Sequence, residues 1–148
     1  MHNAMQACHH LIDSGNKRKR LIDNGPINMQ TGIWGENLAV AYLREKGYII
    51  LERDWRSQHR DIDIIAKDKE CTVFVEIKTR HINPLVAPIE AVDHKKINNL
   101  CRAINHYIQY KKLDTLWRLD IITIEGNMGS TIKPEITHIK DVSLSLMR

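Results

Sequence analysis

Two short runs of alternating polar and aliphatic residues, joined by a charged turn, constrain the fold of this chain more than any other feature. The first run covers residues 61–65 and the second covers residues 72–78, with the charged residues 67–70 between them. Alternation with a period of two is typical of half-buried strands, so the pair predicts an antiparallel hairpin. One face of this hairpin is polar and the other is aliphatic, and the aliphatic face requires a core packed against it.

The polar face of the predicted hairpin collects acids and a lysine. Strand geometry places Asp61 and Asp63 on the same face as Glu76 and Lys78. A turn centred on residues 68 and 69 sets Asp61 opposite Glu76, with Asp63 diagonal to Glu76. Carboxylates this close repel each other unless a cation joins them, and Mg²⁺ prefers carboxylate oxygens. A metal can activate water for attack on a phosphodiester, with a nearby lysine orienting that water. Cross-strand ion pairs without any metal are the alternative interpretation.

The segments around the hairpin predict an α/β fold. Thr31 can cap a first helix that ends at Gly47, and a strand follows at residues 48–51 before a polar stretch. Pro88 suits the first turn of a long helix that runs to about Lys112. Strands at 117–124 and 135–140 complete the order αβββαβ with one strand more. This order predicts a mixed central sheet flanked by helices.

Two polar residues on the predicted helices leave alternatives open. Glu36 borders the apolar stripe of the first helix, so it is either a helix-edge residue or an inward-facing ligand. Lys96 interrupts an apolar stripe that includes Leu100 and Tyr107, so it either snorkels to solvent or faces the site. Its neighbour Lys95 already occupies the polar side of the helix.

Composition limits the remaining classes of function. Residues 1–30 hold the basic run 17–20 and several chain breakers, which predicts a poorly ordered basic extension before a domain at 31–148.

The net charge of +4 is compatible with a nucleic-acid partner without demonstrating one. No apolar run approaches the roughly 20 residues of a membrane span. The three cysteines form no CxxC pair, so we expect a cytoplasmic protein without a disulfide framework or zinc knuckle. The tryptophans, Trp55 among them, are most simply core or partly buried residues, and Trp55, in a polar stretch, is the best candidate among them for stacking on a base.

Several segments, taken in order, resemble the YraN-like family of the PD-(D/E)xK nuclease superfamily, whose restriction-endonuclease-like fold has an αβββαβ core. The resemblance covers roughly residues 31–124. The segments are Gly35-Glu36, Gly47-Tyr48, Ile62-Asp63-Ile64-Ile65, Val73-Phe74-Val75-Glu76-Ile77-Lys78 with Arg80, Glu90-Ala91-Val92 with Lys96 and Leu100, and Arg118-Leu119-Asp120.

The resemblance implies a metal-dependent endonuclease. Asp63 and Glu76 would hold Mg²⁺ or Mn²⁺, Lys78 would be the catalytic lysine, and Glu36 an accessory acid. The expected substrate is nucleic acid, DNA in the first place, and a homodimer is the expected assembly because many nucleases of this superfamily act as dimers. The candidate contacts with nucleic acid are Lys96, Arg80 and Arg60.

One departure from the family pattern keeps a second hypothesis open. Family members usually have Gly-Glu directly before the Ile-Asp pair, whereas this chain has Arg60 and Asp61. Asp61 keeps the charge on a shorter arm, and Arg60 adds a cation beside the acids. The second hypothesis is a non-catalytic nucleic-acid-binding or adaptor module that keeps the nuclease fold. A third is a structural interaction protein in which the acids and the lysine form only ion pairs.

Overall fold

A computed structural model describes residues 27–58, 60–81 and 94–142, and at residues 27, 28, 60 and 94 it describes the backbone alone. The chain divides into two compact units, residues 1–34 and residues 35–148. Of the predicted N-terminal extension, residues 1–26 lie outside the described residues, so its order stays a prediction. Among the described helices, none has the length and apolarity needed to cross a membrane.

The order of elements agrees with the predicted α/β fold, which is confirmed. Within the described residues, two helices and five strands follow one another: α1 (Ile27–Glu45), β1 (Ile49–Ser57), β2 (Arg60–Asp68), β3 (Cys71–Arg80), α2 (His94–Lys111), β4 (Trp117–Glu125) and β5 (Glu135–Ile139). The strands form one sheet in the order β1-β2-β3-β4-β5. Strands β3 and β4 are parallel and the other neighbours are antiparallel, because α2 lies between β3 and β4 in the chain and returns it to the same end of the sheet.

The β2–β3 hairpin forms as predicted, but its register differs from the predicted one by two residues. Ile65 lies opposite Phe74 and Ile64 lies opposite Val75, a register in which Asp61 is not the partner of Glu76. The turn falls at Lys69 and Glu70, with Lys69 in the left-handed region at φ 54°. When the centre of the turn moves by one residue along the chain, each residue of β2 faces a residue of β3 two positions further along than predicted. Since this shift is even, the residues of the β2–β3 ladder, from Ile64 opposite Val75 to Asp68 opposite Cys71, keep their predicted faces.

Helix α1 begins earlier than the sequence predicted. It starts at Ile27, so Thr31 lies inside the helix and is not its N-cap, and the predicted domain boundary at residue 30 falls within α1. Met29 and Gln30 are good helix formers, and a threonine does not stop a helix that has already begun. The predicted start of the second helix at Pro88 lies outside the described residues, where α2 is described from His94 to Lys111.

The polar stretch after residue 51 belongs to a strand and not to a loop. β1 continues to Ser57 because it is an edge strand whose charged side chains reach solvent. Trp55 points the other way and is 4% exposed, with its ring edge-on to Tyr107 at 5.2 Å between centroids. Trp55 belongs to the core between the sheet and α2, which confirms the simpler of its two interpretations and leaves its ring covered and not available to stack on a base.

The two helices cover different faces of the sheet. α2 packs through Leu100, Ala103 and Ile104 on the face that carries Phe74. α1 meets the opposite face at Thr79, where a Cβ on Gly35 would overlap the Thr79 Oγ1. Only a glycine permits this close approach, which brings the neighbouring Glu36 near the sheet.

Candidate active site

A cavity of about 310 Å³ opens beside the ends of β2 and β3, on the side covered by α2. Two strands and one helix supply its walls, which carry three acids, a lysine, an amide and two aliphatic side chains. The lining residues are Asp61, Asp63, Glu76, Ile77, Lys96, Asn99 and Leu100. Three of the predicted site residues therefore line one concave surface together: Asp63, Glu76 and Lys96.

Asp63 and Glu76 meet where the β2–β3 ladder ends. The ladder runs from Asp68 opposite Cys71 to Ile64 opposite Val75, so Asp63 and Glu76 occupy the next position on each strand. The backbone N–H of Ile77 donates to Asp63 Oδ2 at 2.8 Å, which turns the aspartate toward β3. Glu76 is 6% exposed. The structure thus places the two acids closer together than the predicted diagonal arrangement.

The surroundings of Asp63 disfavour its charged form. Burial, reinforced by the negative charge of Glu76, raises the pKa of Asp63 to about 8. The hydrogen bond from Ile77 acts in the opposite direction, and Glu36 adds a further negative charge that raises the pKa. At neutral pH the Asp63 carboxyl therefore keeps its proton, because burial and the nearby Glu76 charge disfavour its ionised form.

Two lysines lie beside Glu76. Lys96 Nζ lies 2.7 Å from Glu76 Oε1, and Lys78 Nζ lies 3.8 Å from the same oxygen. Burial and the neighbouring Lys96 ammonium lower the pKa of Lys78. Burial also acts to lower the pKa of Lys96, but the hydrogen bond and charge of Glu76 outweigh it and raise that pKa above its ordinary value. The two lysines therefore differ in character, one less basic than usual and one more basic.

Glu36 lies near the acids but does not line the cavity. It forms an ion pair with Arg53 of β1, with Arg53 Nη2 at 3.2 Å from Glu36 Oε2, and Arg53 also donates to Asn37 at 2.8 Å. Its side chain is 12% exposed. Glu36 is thus an inward-facing acid whose charge reaches Asp63, and Arg53 is the partner that sequence reasoning missed.

The remaining predicted contacts lie at the edges of this site. Arg80 is half-buried at the end of β3, where its charge contributes to the lowered pKa of Lys78. The side chain of Arg60 lies outside the described residues, so its predicted role stays a prediction. Asp61, which the hairpin pattern placed on the polar face, is exposed and lines the cavity.

Asn99 is a lining residue that sequence reasoning missed. It follows Lys96 by three residues on α2, and Leu100 follows by four, so all three share one side of the helix. The helical spacing from Lys96 was the signal that could have found it.

The acids present a donor set for a hard cation. Within residues 27–58, 60–81 and 94–142, no three His, Cys, Asp or Glu side chains converge as a metal cluster. A zinc site needs three or four such ligands, whereas Mg²⁺ keeps several waters and takes one or two carboxylates. The paired acids Asp63 and Glu76, whose oxygens meet in one cavity, fit an ion of the Mg²⁺ or Mn²⁺ type.

Comparison with known proteins gives the family. The profile described as uncharacterised protein family UPF0102 matches residues 35–124. A UPF0102 protein of Bacteroides thetaiotaomicron is 43% identical over 112 residues, which cover 76% of this chain and 90% of that protein. One from Christiangramia forsetii is 42% identical over 112 residues, which cover 76% of this chain and 92% of that protein. The chain belongs to the UPF0102 family.

The UPF0102 match contains the whole candidate site. It begins at Gly35, whose missing side chain lets α1 approach β3, and it ends at Ile124 near the end of β4. Every residue that lines the cavity lies inside this range, as do Glu36, Lys78 and Arg80. The strand β5 lies beyond the match.

A second buried group of charges lies inside the same unit, away from the cavity. Asp120 of β4 is 0% exposed, and its carboxylate binds Arg118 at 3.0 Å, His138 at 2.8 Å and the Asp141 N–H at 3.0 Å. Arg118 continues to Asp68 at 3.0 Å. These bonds link β4 to β2 and β5 with every partner at hydrogen-bond distance, which is the arrangement of a structural anchor.

Proposed function

We propose that this protein is a divalent-metal-dependent phosphodiesterase that acts on nucleic acid. The observation that carries the proposal is the pair Asp63 and Glu76, facing each other in a cavity with Lys78 and Lys96 beside them. DNA as the substrate, Mg²⁺ as the ion and a homodimer as the assembly stay predictions, as does the cytoplasmic location.

The two acids are the groups that would hold the ion. Glu76 is buried and Asp63 is half-buried at neighbouring positions of β2 and β3, and the pKa of Asp63 is raised first by burial and then by the negative charge of Glu76. A bound Mg²⁺ supplies polarisation of a phosphodiester oxygen and lowers the pKa of a water molecule. Asp63 must lose its proton before it can act as a ligand, so we expect metal affinity to rise with pH.

We infer that Lys78 accepts or donates a proton during the reaction. Its pKa is lowered by burial and by Lys96, so a larger share of its amine is neutral near physiological pH than for an exposed lysine. A neutral amine can accept a proton from an attacking water, and the charged form can orient that water. The side chain of Lys78 is 15% exposed, and its Nζ lies 3.8 Å from Glu76 Oε1, so the amine is largely shielded from bulk solvent beside this acid.

The cations around the acids suit a phosphate backbone. Lys96 lines the cavity and is 55% exposed, and Arg80 lies two residues beyond Lys78 on β3. Lysine and arginine are the usual partners of phosphate oxygens, so substrate binding should weaken as salt rises.

The test is cleavage by the purified protein with Mg²⁺ or Mn²⁺ on single-stranded, duplex and branched DNA and RNA. We expect cleavage that falls by at least about 100-fold in Asp63→Asn and in Glu76→Gln. Glu70→Gln is the matched control, since Glu70 is an exposed acid in the β2–β3 turn. Activity that survives unchanged in Glu76→Gln would contradict the proposal.

A non-catalytic nucleic-acid-binding or adaptor module is the second candidate, and one contact favours it. Lys96 already neutralises Glu76 at 2.7 Å, which is the charge balance that a metal-free module needs. This candidate predicts salt-sensitive binding of nucleic acid with no cleavage and no heat of Mn²⁺ binding in calorimetry. Metal uptake that Glu76→Gln abolishes would exclude it.

A further inference from the structure

The ion pair between Lys96 and Glu76 joins a fixed acid to a movable cation. Glu76 lies on the interior strand β3 and its side chain is 8% exposed. Lys96 lies on α2 and its side chain is 55% exposed, so its stem has room to change rotamer. The ammonium lies 2.7 Å from Glu76 Oε1, whereas Lys78 lies 3.8 Å from that oxygen. Of these two lysines, Lys96 is therefore the one in closer contact with Glu76.

We propose that Lys96 is an internal competitor for the divalent ion, held by Glu76 in the metal-free protein and released when the ion binds. This lysine exchange rests on the proposed function, because it needs an ion that Glu76 helps to hold. An ion on Glu76 takes over the charge balance that the ammonium supplies, and like charges in one cavity repel. The released ammonium stays in the cavity wall beside Asn99, where it is available to a phosphate group of the substrate.

A purely structural ion pair makes the opposite prediction. If Lys96 only holds Glu76 in place, its removal loosens Glu76, and metal binding weakens or stays the same. If Lys96 competes with the ion, its removal strengthens metal binding. The sign of the change in metal affinity separates the two roles, since linkage requires that two mutually exclusive cations weaken each other.

The first experiment measures Mn²⁺ binding by titration calorimetry in wild type, Lys96→Met and Lys95→Met. Methionine keeps the aliphatic stem and removes the charge. We expect Lys96→Met to bind Mn²⁺ about five- to tenfold more tightly than wild type. Lys95→Met controls for the loss of a general positive charge, because Lys95 is the adjacent exposed residue of α2, and it should stay within about twofold of wild type.

A second experiment uses the wild-type protein and does not depend on the folding of a variant. An amine-acetylating reagent is applied with and without Mn²⁺, and mass spectrometry follows each lysine. We expect Mn²⁺ to accelerate acetylation of Lys96 several-fold and to leave Lys95 unchanged. In Glu76→Gln, Lys96 should react fast under both conditions.

The outcomes separate failure of the exchange from failure of the proposed function. Wild type that binds Mn²⁺, with Lys96→Met binding equally or more weakly, overturns the exchange and leaves the metal site standing. Mn²⁺ binding by neither protein overturns the metal site and with it the exchange. Binding by Lys96→Met alone supports both, since the lysine then outcompetes the ion in wild type.

Discussion

Asp63 illustrates how much a single residue depends on its immediate neighbours. An aspartate on a solvated strand has an ordinary pKa, but here burial and Glu76 raise the pKa of Asp63 to about 8. The Ile77 N–H that orients the carboxylate only partly compensates. Lys78, two residues along β3 from Glu76, shifts in the opposite direction, because burial and Lys96 disfavour its charge. Two polar residues on the same face of the hairpin thus acquire opposite pKa shifts from their contacts across the strands and with α2.

The raised pKa of Asp63 predicts how the stability of the metal-free protein depends on pH. The unfolded chain loses the Asp63 proton near pH 3.8, whereas the folded protein keeps it until about pH 8. Between these values the folded state binds more protons, so the free energy of unfolding falls as pH rises, by at most about 1.4 kcal/mol per pH unit. In Asp63→Asn this component disappears. Urea denaturation in the presence of a chelator, from pH 5 to 9, measures the free energy of unfolding of wild type and Asp63→Asn. If this free energy depended on pH in the same way in both proteins, the raised pKa would not belong to Asp63.

At the scale of elements, the approach of α1 to β3 decides where Glu36 lies. Gly35 lies inside α1, where a glycine lowers helix stability. Its missing side chain leaves the space that Thr79 of β3 occupies. The helix then presents Glu36 to Arg53 of β1 and brings its charge within range of Asp63. The contact of one helix with one strand thus links three elements to the site.

Gly35→Ala should destabilise the protein, although alanine is the better helix former. The new Cβ would overlap Thr79 Oγ1, and overpacking costs about 1–3 kcal/mol against a gain of up to about 1 kcal/mol in helix propensity. Gly32→Ala is the control in the same helix, since nothing lies within 4 Å of its added Cβ, and it should stabilise. Thr79→Ala should rescue Gly35→Ala. Thermal unfolding measures the stability of wild type, the two single glycine variants and the double variant Gly35→Ala/Thr79→Ala. If Gly35→Ala and Gly32→Ala changed the stability equally, the close approach of α1 to Thr79 would be refuted.

At the scale of the whole molecule, the sheet holds two groups of charge with different roles. The cavity group around Glu76 is open to solvent and lies at the end of the β2–β3 ladder. The group around Asp120 is closed, and it links β4 to β2 through Arg118 and to β5 through His138. Burial alone would raise the pKa of Asp120, but hydrogen bonds from His138, the Asp141 N–H and Arg118 hold that pKa below its ordinary value. An open group can accept a ligand, whereas a closed group stabilises the fold.

Asp120→Asn should therefore reduce stability strongly without a direct effect on the cavity. The substitution removes the buried charge that Arg118 and His138 contact and leaves Arg118 paired with Asp68, and breaking a buried ion pair in this way costs about 3–5 kcal/mol at neutral pH. Because the pKa of Asp120 is lowered in the fold, its contribution is present above pH 4 and disappears as pH falls through the folded pKa. In urea denaturation, the difference in the free energy of unfolding between wild type and Asp120→Asn should become smaller at acidic pH. Asp114→Asn, at an exposed site, is the control. If Asp120→Asn lost no more stability than Asp114→Asn, the group around Asp120 would not be a structural anchor.

The sequence by itself determined the α/β order of elements and the face on which each hairpin side chain lies. Both follow from local periodicity, since a strand alternates with period two whatever it later contacts. That is why Asp63, Glu76 and Lys78 were found from the hairpin alone. The family resemblance added Lys96 and Glu36 as site residues, but not the partners they contact.

The tertiary structure decided the register, the partners and the burial. The position of a two-residue turn set which acid faces Glu76, and the path of α2 set that Lys96 lies 2.7 Å from it. Trp55 entered the core because α2 covers the face of β1 on which it lies. Each of these contacts joins residues far apart in the chain. Local propensity carries no information about such contacts, because they depend on how separate elements pack together.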